Sequence, residues 1–193
     1  MNRLTRRIIA GGFGGLFSTL PMSALMLLWH RRLSWTQREP LPPQQITVNA
    51  FNSAGLDDDL SRPQLEALAM INHFGYGTAM GSMYGLLTSA RQPASQLSTG
   101  VVYGLGVWAV SYLGLLPTLG LYRSAIKESA ERNLLMLTAH IVWGGALGLL
   151  TEVATYRADQ GLTANKRSGA PDKMTSTART DRGVRAQYES GNI

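Results

Sequence analysis

Two histidines stand in matching contexts and are the residues best suited to chemistry in this sequence. His73 opens the segment HFGYGTAMG, and His140 opens the segment HIVWGGALG. A histidine, an aromatic residue, glycine, alanine, an apolar residue and glycine recur in step, at an offset of 67 residues. A neutral imidazole offers one hydrogen-bond donor and one acceptor, or one nitrogen ligand. The pattern therefore predicts two polar groups in equivalent positions.

Small residues at intervals of four place both histidines on helix faces that pack against other helices. Positions four apart share one side of a helix, and small residues there let two backbones approach closely in lipid. Three such stripes are present: His73, Gly77, Gly81 and Gly85; His140, Gly144, Gly148 and Glu152; and Gly11, Gly15 and Thr19. The histidines are therefore expected to face the interior. The alternative is that each one hydrogen-bonds a neighbouring helix or interfacial water.

Four apolar segments carry these stripes. Their approximate bounds are 8–29, 67–90, 99–122 and 133–155. A bilayer core needs about 20 helical residues, so each segment is long enough to cross it. Charged residues make up only 16% of the chain, against roughly 25% in a soluble domain. The sequence therefore predicts an all-α, integral membrane bundle of four transmembrane helices.

The repeat around the histidines favours an arrangement of two tandem helical hairpins. Each hairpin would contain two spans, so both copies would enter the membrane in the same direction. Such copies are related by an axis along the membrane normal. Chance similarity between glycine-rich helices is the alternative explanation.

The domain organisation follows from the distribution of polar residues. A transmembrane domain is predicted over residues 1–155, with an extramembrane loop at 31–65 and a polar, basic, disordered tail at 156–193. Within the loop, residues 44–54 are expected to form a short interfacial helix. The acidic run at residues 57–59 is interpreted as a solvated turn rather than a cation site.

The orientation follows from the basic residues in the flanks. With a cytoplasmic N-terminus, 11 Lys and Arg residues lie inside and 7 lie outside. The positive-inside rule therefore places both termini in the cytoplasm.

The candidate site residues are His73 and His140, with Asn72 and Glu152 as further buried polar candidates. Both histidines lie about seven residues, or roughly 10 Å of helix rise, from the outer ends of their spans. Neighbouring glycines would leave room for a flat ring, so one hypothesis is a membrane subunit that binds haem b or another cofactor through the two histidines. Another is an oligomeric channel or a proton-linked transporter that uses the same four residues.

The main prediction is a membrane protein without catalysis, with a structural, assembly or stress-related role. The chain has no cysteine, which excludes disulfides, thiolate metal sites and cysteine nucleophiles. The glycine-rich run at residues 104–106 imitates a dinucleotide-binding fingerprint, but it lies inside an apolar span. The net charge of +6 comes from residues that flank the spans, and nucleic acid is not expected as a partner. The expected partners are the lipid bilayer and a second copy or another membrane protein.

The first span also resembles a known family. The run GGFGG at 11–15, followed by TLPM at 19–22, resembles the opening of YagU-like proteins, which are small bacterial inner-membrane proteins with glycine-rich helices and histidines in later spans. The resemblance covers about half the chain. It implies a location in the bacterial cytoplasmic membrane and no known enzymatic activity. The long first loop and the arginine-rich tail do not match this family, so no functional residues are transferred.

Overall fold

The fold is all-helical over the residues that the computed structural model describes, which are 2–32, 39–56, 60–88 and 95–168, with side chains described up to residue 157. The elements follow the order α1 (Arg3–Arg32), α2 (Pro42–Ser53), α3 (Arg62–Thr88), α4 (Gln96–Ala109), a π-helical segment (Val110–Leu115), α5 (Leu116–Thr118), a 3-10 turn (Ala125–Lys127) and α6 (Ala130–Ser168). The predicted all-α class is confirmed.

Within the part of the chain that the structure describes, three helices are long and apolar enough to cross a membrane. They are Arg3–Arg32, Gln96–Thr118 and Ala130–Arg157. The second of them joins α4, the π segment and α5 into one continuous helix, which we call the α4–α5 rod. These helices match three of the four predicted spans. The remaining one, α3, has 27 residues and is long enough to cross, but polar residues such as Asn72 and His73 lower its hydropathy. Its crossing stays a prediction.

The α4–α5 rod ends before the predicted limit of the third span at residue 122. Gly120 has a positive φ of 68°, which glycine adopts without steric cost. The Leu121 N–H donates to Leu116 O at 2.9 Å, and the Gly120 N–H donates to Pro117 O at 3.1 Å. This pair of bonds is the Schellman arrangement that closes a helix, so the chain turns away after Thr118.

Polar caps and prolines set the starts of the other helices. Ser61 and Gln64 pair at the start of α3, where the Ser61 N–H donates to Gln64 Oε1 at 2.8 Å. Ser95 Oγ accepts the Ser98 N–H at 3.4 Å at the start of α4. Pro42 begins α2, where its fixed φ suits a first helical turn. The observed bounds of α2 are therefore close to those of the short helix predicted at residues 44–54.

Contacts divide the chain into two compact units, Met1–Thr155 and Tyr156–Ile193. In the second unit, α6 continues to Ser168, which differs from the disordered tail predicted from residue 156. The reason is local, because proline is absent between Pro117 and Pro171 and residues 156–168 are mostly types that tolerate a helix. The rest of the predicted tail, like the acidic run at 57–59, lies outside the described residues.

The interior of the first unit is aromatic and aliphatic. One cluster contains Tyr84, Trp143 and Leu147, and a second contains Tyr112, Tyr122 and Met136. Large apolar side chains are also widely exposed on the outside, among them Phe13, Phe17, Ile71, Val102 and Val110. A water-soluble monomer rarely exposes so much apolar surface, and a bilayer accommodates it.

Candidate functional site

Glycine contacts fix α1 against α3. A Cβ atom on Gly81 would collide with Gly11 O, and one on Gly15 would collide with Gly77 O. A Cβ atom on Gly85 would meet Arg7 O. Backbones this close leave no room for a side chain, so all five predicted packing glycines of the first hairpin lie at the contact with the other helix.

The second hairpin, between the α4–α5 rod and α6, uses the same contact. Cβ atoms on Gly144 and Gly148 would collide with Gly100 O and Gln96 O, and one on Gly104 would collide with His140 O. The spacing in the sequence predicts packing for the glycines on α6, but it does not identify their partners on α4.

The two contacts are equivalent in register. Gly15 faces both Gly77 and Gly81. Gly100 likewise faces Gly144 and Gly148, which lie 67 residues after Gly77 and Gly81. The first helices of the two hairpins therefore correspond at an offset of 85 residues, from Gly15 to Gly100. This geometry agrees with the interpretation of two tandem hairpins.

A partly open cavity of about 270 Å³ lies within this helical unit. It is lined by α1, α2, α3, the α4–α5 rod and α6, and both histidines border it. The lining comprises Thr19, Met22, Met26, Pro43, Ile46, Thr47, Ala50, Ala69, Asn72, His73, Tyr76, Gly77, Val107, Ser111, Tyr112, Leu115, Leu116, Met136, Ala139, His140 and Trp143. An apolar pocket with a few convergent polar groups is the usual form of a ligand site.

The lining repeats the internal symmetry. Four positions of α3 reappear on α6 at the offset of 67, as the pairs Ala69 and Met136, Asn72 and Ala139, His73 and His140, and Tyr76 and Trp143. Two positions of α1 reappear on the α4–α5 rod at the offset of 85, as Met22 and Val107, and Met26 and Ser111. The cavity therefore lies where equivalent faces of the two hairpins meet.

His140 is held in one orientation by its own helix. The residue is only 6% exposed, and its Nδ1 lies 2.8 Å from Met136 O. Because a carbonyl oxygen only accepts, Nδ1 carries the proton and donates it, which leaves Nε2 as an acceptor. The ring of Tyr112 stands edge-on to the imidazole, with centroids 5.9 Å apart. Contacts within the protein thus fix the orientation of His140 without a ligand.

His73 is less completely satisfied. Its Nε2 atom is buried and has no hydrogen-bond partner among the described residues. Beside it, Asn72 Nδ2 donates to Thr47 Oγ1 at 3.3 Å. Buried polar atoms in native proteins usually have a partner, and the side chain that carries this unpaired nitrogen borders the cavity.

The π-helical segment supplies polar groups that sequence reasoning missed. Leu116 N–H donates to Ser111 O, five residues back, and both Ser111 and Tyr112 line the cavity. Ser111 Oγ lies 2.9 Å from Tyr76 OH. Such segments often occur at functional sites. Pro117 was the available signal, because its ring obstructs regular helical bonding to the preceding turn.

Helix α2 lines part of the cavity and is more than an interfacial helix. Thr47 is only 2% exposed, and Ile46 packs against the second apolar cluster. Asn49 Nδ2 donates to Leu121 O at 2.9 Å, which ties α2 to the turn after the α4–α5 rod. Val48 and Phe51 of the same helix are also partly buried.

A charged cluster joins the loop before α2 to the start of α6. Arg132 Nη1 lies 3.2 Å from Glu39 Oε2, and Arg123 Nε lies 3.3 Å from Glu128 Oε1. The Glu128 side chain is only 4% exposed. Arg132 Nε also donates to Tyr122 OH at 2.7 Å. Sequence reasoning treated these arginines only as flanking charges, because Glu39 is distant in sequence and the burial of Glu128 depends on the tertiary fold.

The comparison with known proteins gives one match. A family described as "Protein of unknown function (DUF1440)" matches residues 36–148. The chain belongs to the DUF1440 family. No curated protein and no solved structure matches the sequence. The part that matches DUF1440 contains both histidines and the polar positions of the cavity from Thr47 to His140, whereas α1 lies outside it.

Two predicted polar positions of this DUF1440 chain need correction. Glu152 was expected to be buried on the stripe of His140, but it is exposed. The reason is that Gly148 already meets Gln96, the first residue of α4, so the next turn of α6 lies beyond that helix. Asn72 is also exposed as a whole residue, although it borders the cavity and bonds Thr47. The four residues proposed for a channel are therefore not all at one site.

Proposed function

We propose that this DUF1440 chain is a non-enzymatic, four-helix integral membrane protein of the bacterial inner membrane, with a structural or assembly role. The observation that carries the proposal is the packing of α3 along α1. Gly77 meets Thr19 at one end of the contact and Gly85 meets Arg7 at the other. If α1 crosses the bilayer, α3 lies at the same depth over that length. The less apolar helix α3 then crosses the bilayer beside α1, and α1 shields the face of α3 that it contacts.

The orientation with both termini in the cytoplasm rests on the distribution of basic residues. The counts of 11 inside and 7 outside favour it. Two of the outer residues, Arg123 and Arg132, are ion-paired with Glu39 and Glu128, which reduces the free positive charge at that end. At the other end, Arg7 Nη1 donates to Thr88 O at 2.5 Å.

The proposal of a role without catalysis rests on the chemistry of the cavity. Its most promising hydroxyl, that of Ser111, is paired with Tyr76 OH at 2.9 Å. A serine nucleophile is activated by a base such as histidine in that position. The exposed apolar faces suit the bilayer, a second copy of the chain or another membrane protein as partners. The resemblance to YagU-like proteins points to the same setting.

Reporter fusions test the number of crossings and their direction. Fusions at Gln44, at Gln92 and after Tyr188 are expected to report the periplasm, the cytoplasm and the cytoplasm. If α3 does not cross, the reporters at Gln44 and Gln92 will agree, and the tail will lie on the opposite side from the N-terminus. A cytoplasmic reporter at Gln44 would contradict the orientation itself.

A second candidate function is the binding of haem b or another cofactor by His73 and His140. The observation in its favour is that both residues border the same cavity. Pockets for drug-sized ligands measure about 300–1,000 Å³, and this cavity of about 270 Å³ would have to widen for a macrocycle. The absorption spectrum of protein purified from haem-supplied cells decides the matter. A Soret band that disappears in His73→Phe and His140→Phe would support haem, and a spectrum without one would contradict it.

A further inference from the structure

We propose that the cavity between the two hairpins binds an uncharged, single-ring aromatic molecule that carries hydroxyl groups, such as a dihydroxybenzene. The proposal concerns the ligand chemistry of the cavity and does not depend on the structural role argued above. It rests on four properties of the lining, which are its size, its lack of charge, the acceptor on His140 and the unpartnered nitrogen on His73.

The size of the cavity fits a substituted ring. An apolar cavity of about 150 Å³ is enough to bind benzene. The volume here is about 270 Å³, which leaves space for two polar substituents. Tyr112 and Trp143 are part of the lining and offer aromatic surfaces against which a ring can pack edge-to-face or offset.

The lining selects against charged ligands. Its residues include neither Asp, Glu, Lys nor Arg. A carboxylate or an ammonium ion would lose its hydration without gaining an ion pair. A divalent metal ion would similarly have two imidazoles but no carboxylate of the lining to balance its charge. An uncharged molecule avoids this penalty.

His140 determines which partner donates in its hydrogen bond to the bound molecule. Its Nδ1 proton is committed to Met136 O at 2.8 Å, so Nε2 is left to accept. The molecule that meets this nitrogen must therefore be a donor. A hydroxyl group satisfies this requirement, whereas an ether or a ketone of the same shape does not.

His73 supplies the second polar contact. Its Nε2 is buried without a partner among the described residues, and it occupies the position of the first hairpin that His140 occupies in the second. Two equivalent imidazoles in one cavity match a molecule with two like polar ends. A benzene ring with hydroxyls at positions 1 and 4 has that form.

Two kinds of molecule carry such a hydroxylated ring, a free phenolic compound and the head group of a lipid-soluble quinol. Extraction of the purified protein with organic solvent, followed by chromatography, separates them. With air excluded, an isoprenoid quinol at about one per chain would support the proposal and assign the source to the membrane, whereas the quinone form alone would contradict it, because its carbonyl groups cannot donate to His140 Nε2. If the extract contains none but added benzene-1,4-diol binds, the source is a free compound, which also supports the proposal.

The test is calorimetric titration of the full chain in detergent with benzene-1,4-diol and, as the matched control, 1,4-dimethoxybenzene. The diol is expected to bind at one site and the dimethoxy compound about tenfold more weakly, since a hydrogen bond is worth up to about that factor. Equal binding of the two compounds, or binding of the diol only to detergent micelles, would overturn the proposal.

Variants locate the bound molecule. His140→Phe is expected to weaken binding of the diol about tenfold, and Val107→Phe, which fills the cavity from an apolar position, is expected to abolish it. Leu149→Phe, on the exposed side of α6, is the control and should bind normally. If the histidine variant does not fold, Val107→Phe and the two compounds on the unaltered chain still decide. Normal binding in folded Val107→Phe would place the molecule elsewhere and overturn the proposal.

Discussion

The two hairpins share one packing contact but differ where they border the cavity. In the first, α1 continues as a regular α-helix through Pro21. In the second, the chain forms the π segment just before Pro117. The equivalent cavity positions are therefore occupied differently, with the methionine Met26 on α1 and the hydroxyl residue Ser111 on the rod. The two hairpins are alike in their close glycine contacts. They differ near the cavity, where the π segment of the second hairpin places a hydroxyl group and the regular α-helix of the first places a methionine.

The same contrast holds at the connections. The first hairpin is joined through α2, which folds back over the cavity, and the second through a short 3-10 turn. The ion pair of Glu128 with Arg123 lies at this second connection, and the ion pair of Glu39 with Arg132 ties it to the loop before α2. A duplicated unit thus keeps its helix contact while its connections diverge. The following substitutions test how far the likeness of the hairpins extends.

The largest effect is expected where a side chain is forced into a helix contact. Gly81→Leu would drive a side chain into Gly11 O and should lower the free energy of unfolding by about 3 kcal/mol, the upper end for overpacking. Gly148→Leu should cost less, because it meets Gln96 at the very start of α4, where the backbone can shift. Thermal and denaturant unfolding in detergent measure both.

The controls for these variants are Met83→Leu and Leu149→Met, whose side chains belong to residues 44% and 47% exposed. They should change the free energy of unfolding by less than about 0.5 kcal/mol. Equal losses at the glycines and at the controls would mean that the packed and lipid-facing sides of these helices are wrongly assigned.

The next effect concerns the buried carboxylate at the connection of the second hairpin. Glu128→Gln keeps the shape of the side chain but removes the charge that lies 3.3 Å from Arg123 and 3.8 Å from Arg132. A loss of about 2 kcal/mol in unfolding free energy is expected, below the roughly 3–5 kcal/mol for breaking a fully buried ion pair, because the Arg123 side chain is exposed. Glu66→Gln, an exposed change on α3, should be nearly neutral. If both variants are equally stable, the cluster does not hold the connection.

A smaller effect is expected from the polar pair that only one half of the cavity possesses. Ser111→Ala and Tyr76→Phe each remove the hydrogen bond of 2.9 Å, at a cost of about 1 kcal/mol. The double variant should lose scarcely more than either single one, because both changes break the same bond. Strictly additive losses in the free energy of unfolding would show that the two hydroxyls are stabilised independently.

The sequence reveals the parts of this molecule that depend on spacing within one helix. Glycines at intervals of four identified the contact faces, and the offset of 67 residues identified His73 and His140 as a pair. These signals are local, so they can be recognised in the sequence of one helix without knowledge of the helix that packs against it.

Features that depend on a partner were missed or wrong. Whether Glu152 is covered depends on where α4 begins, and the burial of Thr47 depends on how α2 folds over the bundle. The pairing of Arg132 with Glu39 joins residues far apart in the chain. Each of these outcomes is set by the tertiary arrangement, which the periodicity of a single helix does not contain.

The smallest expected effect separates the two histidines themselves. His140→Phe removes the bond from Nδ1 to Met136 O and should cost about 1 kcal/mol of unfolding free energy. His73→Phe removes a buried nitrogen that has no partner among the described residues, so its cost should be near zero or slightly negative in protein without a ligand. Equivalent positions would thus differ in energy because only one of them has a partner.

A double-mutant cycle on detergent-solubilised protein then measures the coupling between His73 and His140. A coupling of about 0.5 kcal/mol or more is expected if the two imidazoles interact directly or through one shared molecule, since neighbouring sites are not additive. It should increase when benzene-1,4-diol is present, because both side chains then contact the same molecule. Exchange of Met83 for Leu in place of one histidine provides the uncoupled reference. A coupling of zero with and without the diol would make the histidines independent packing residues, and both the haem and the hydroxyl-ligand hypotheses would then be wrong.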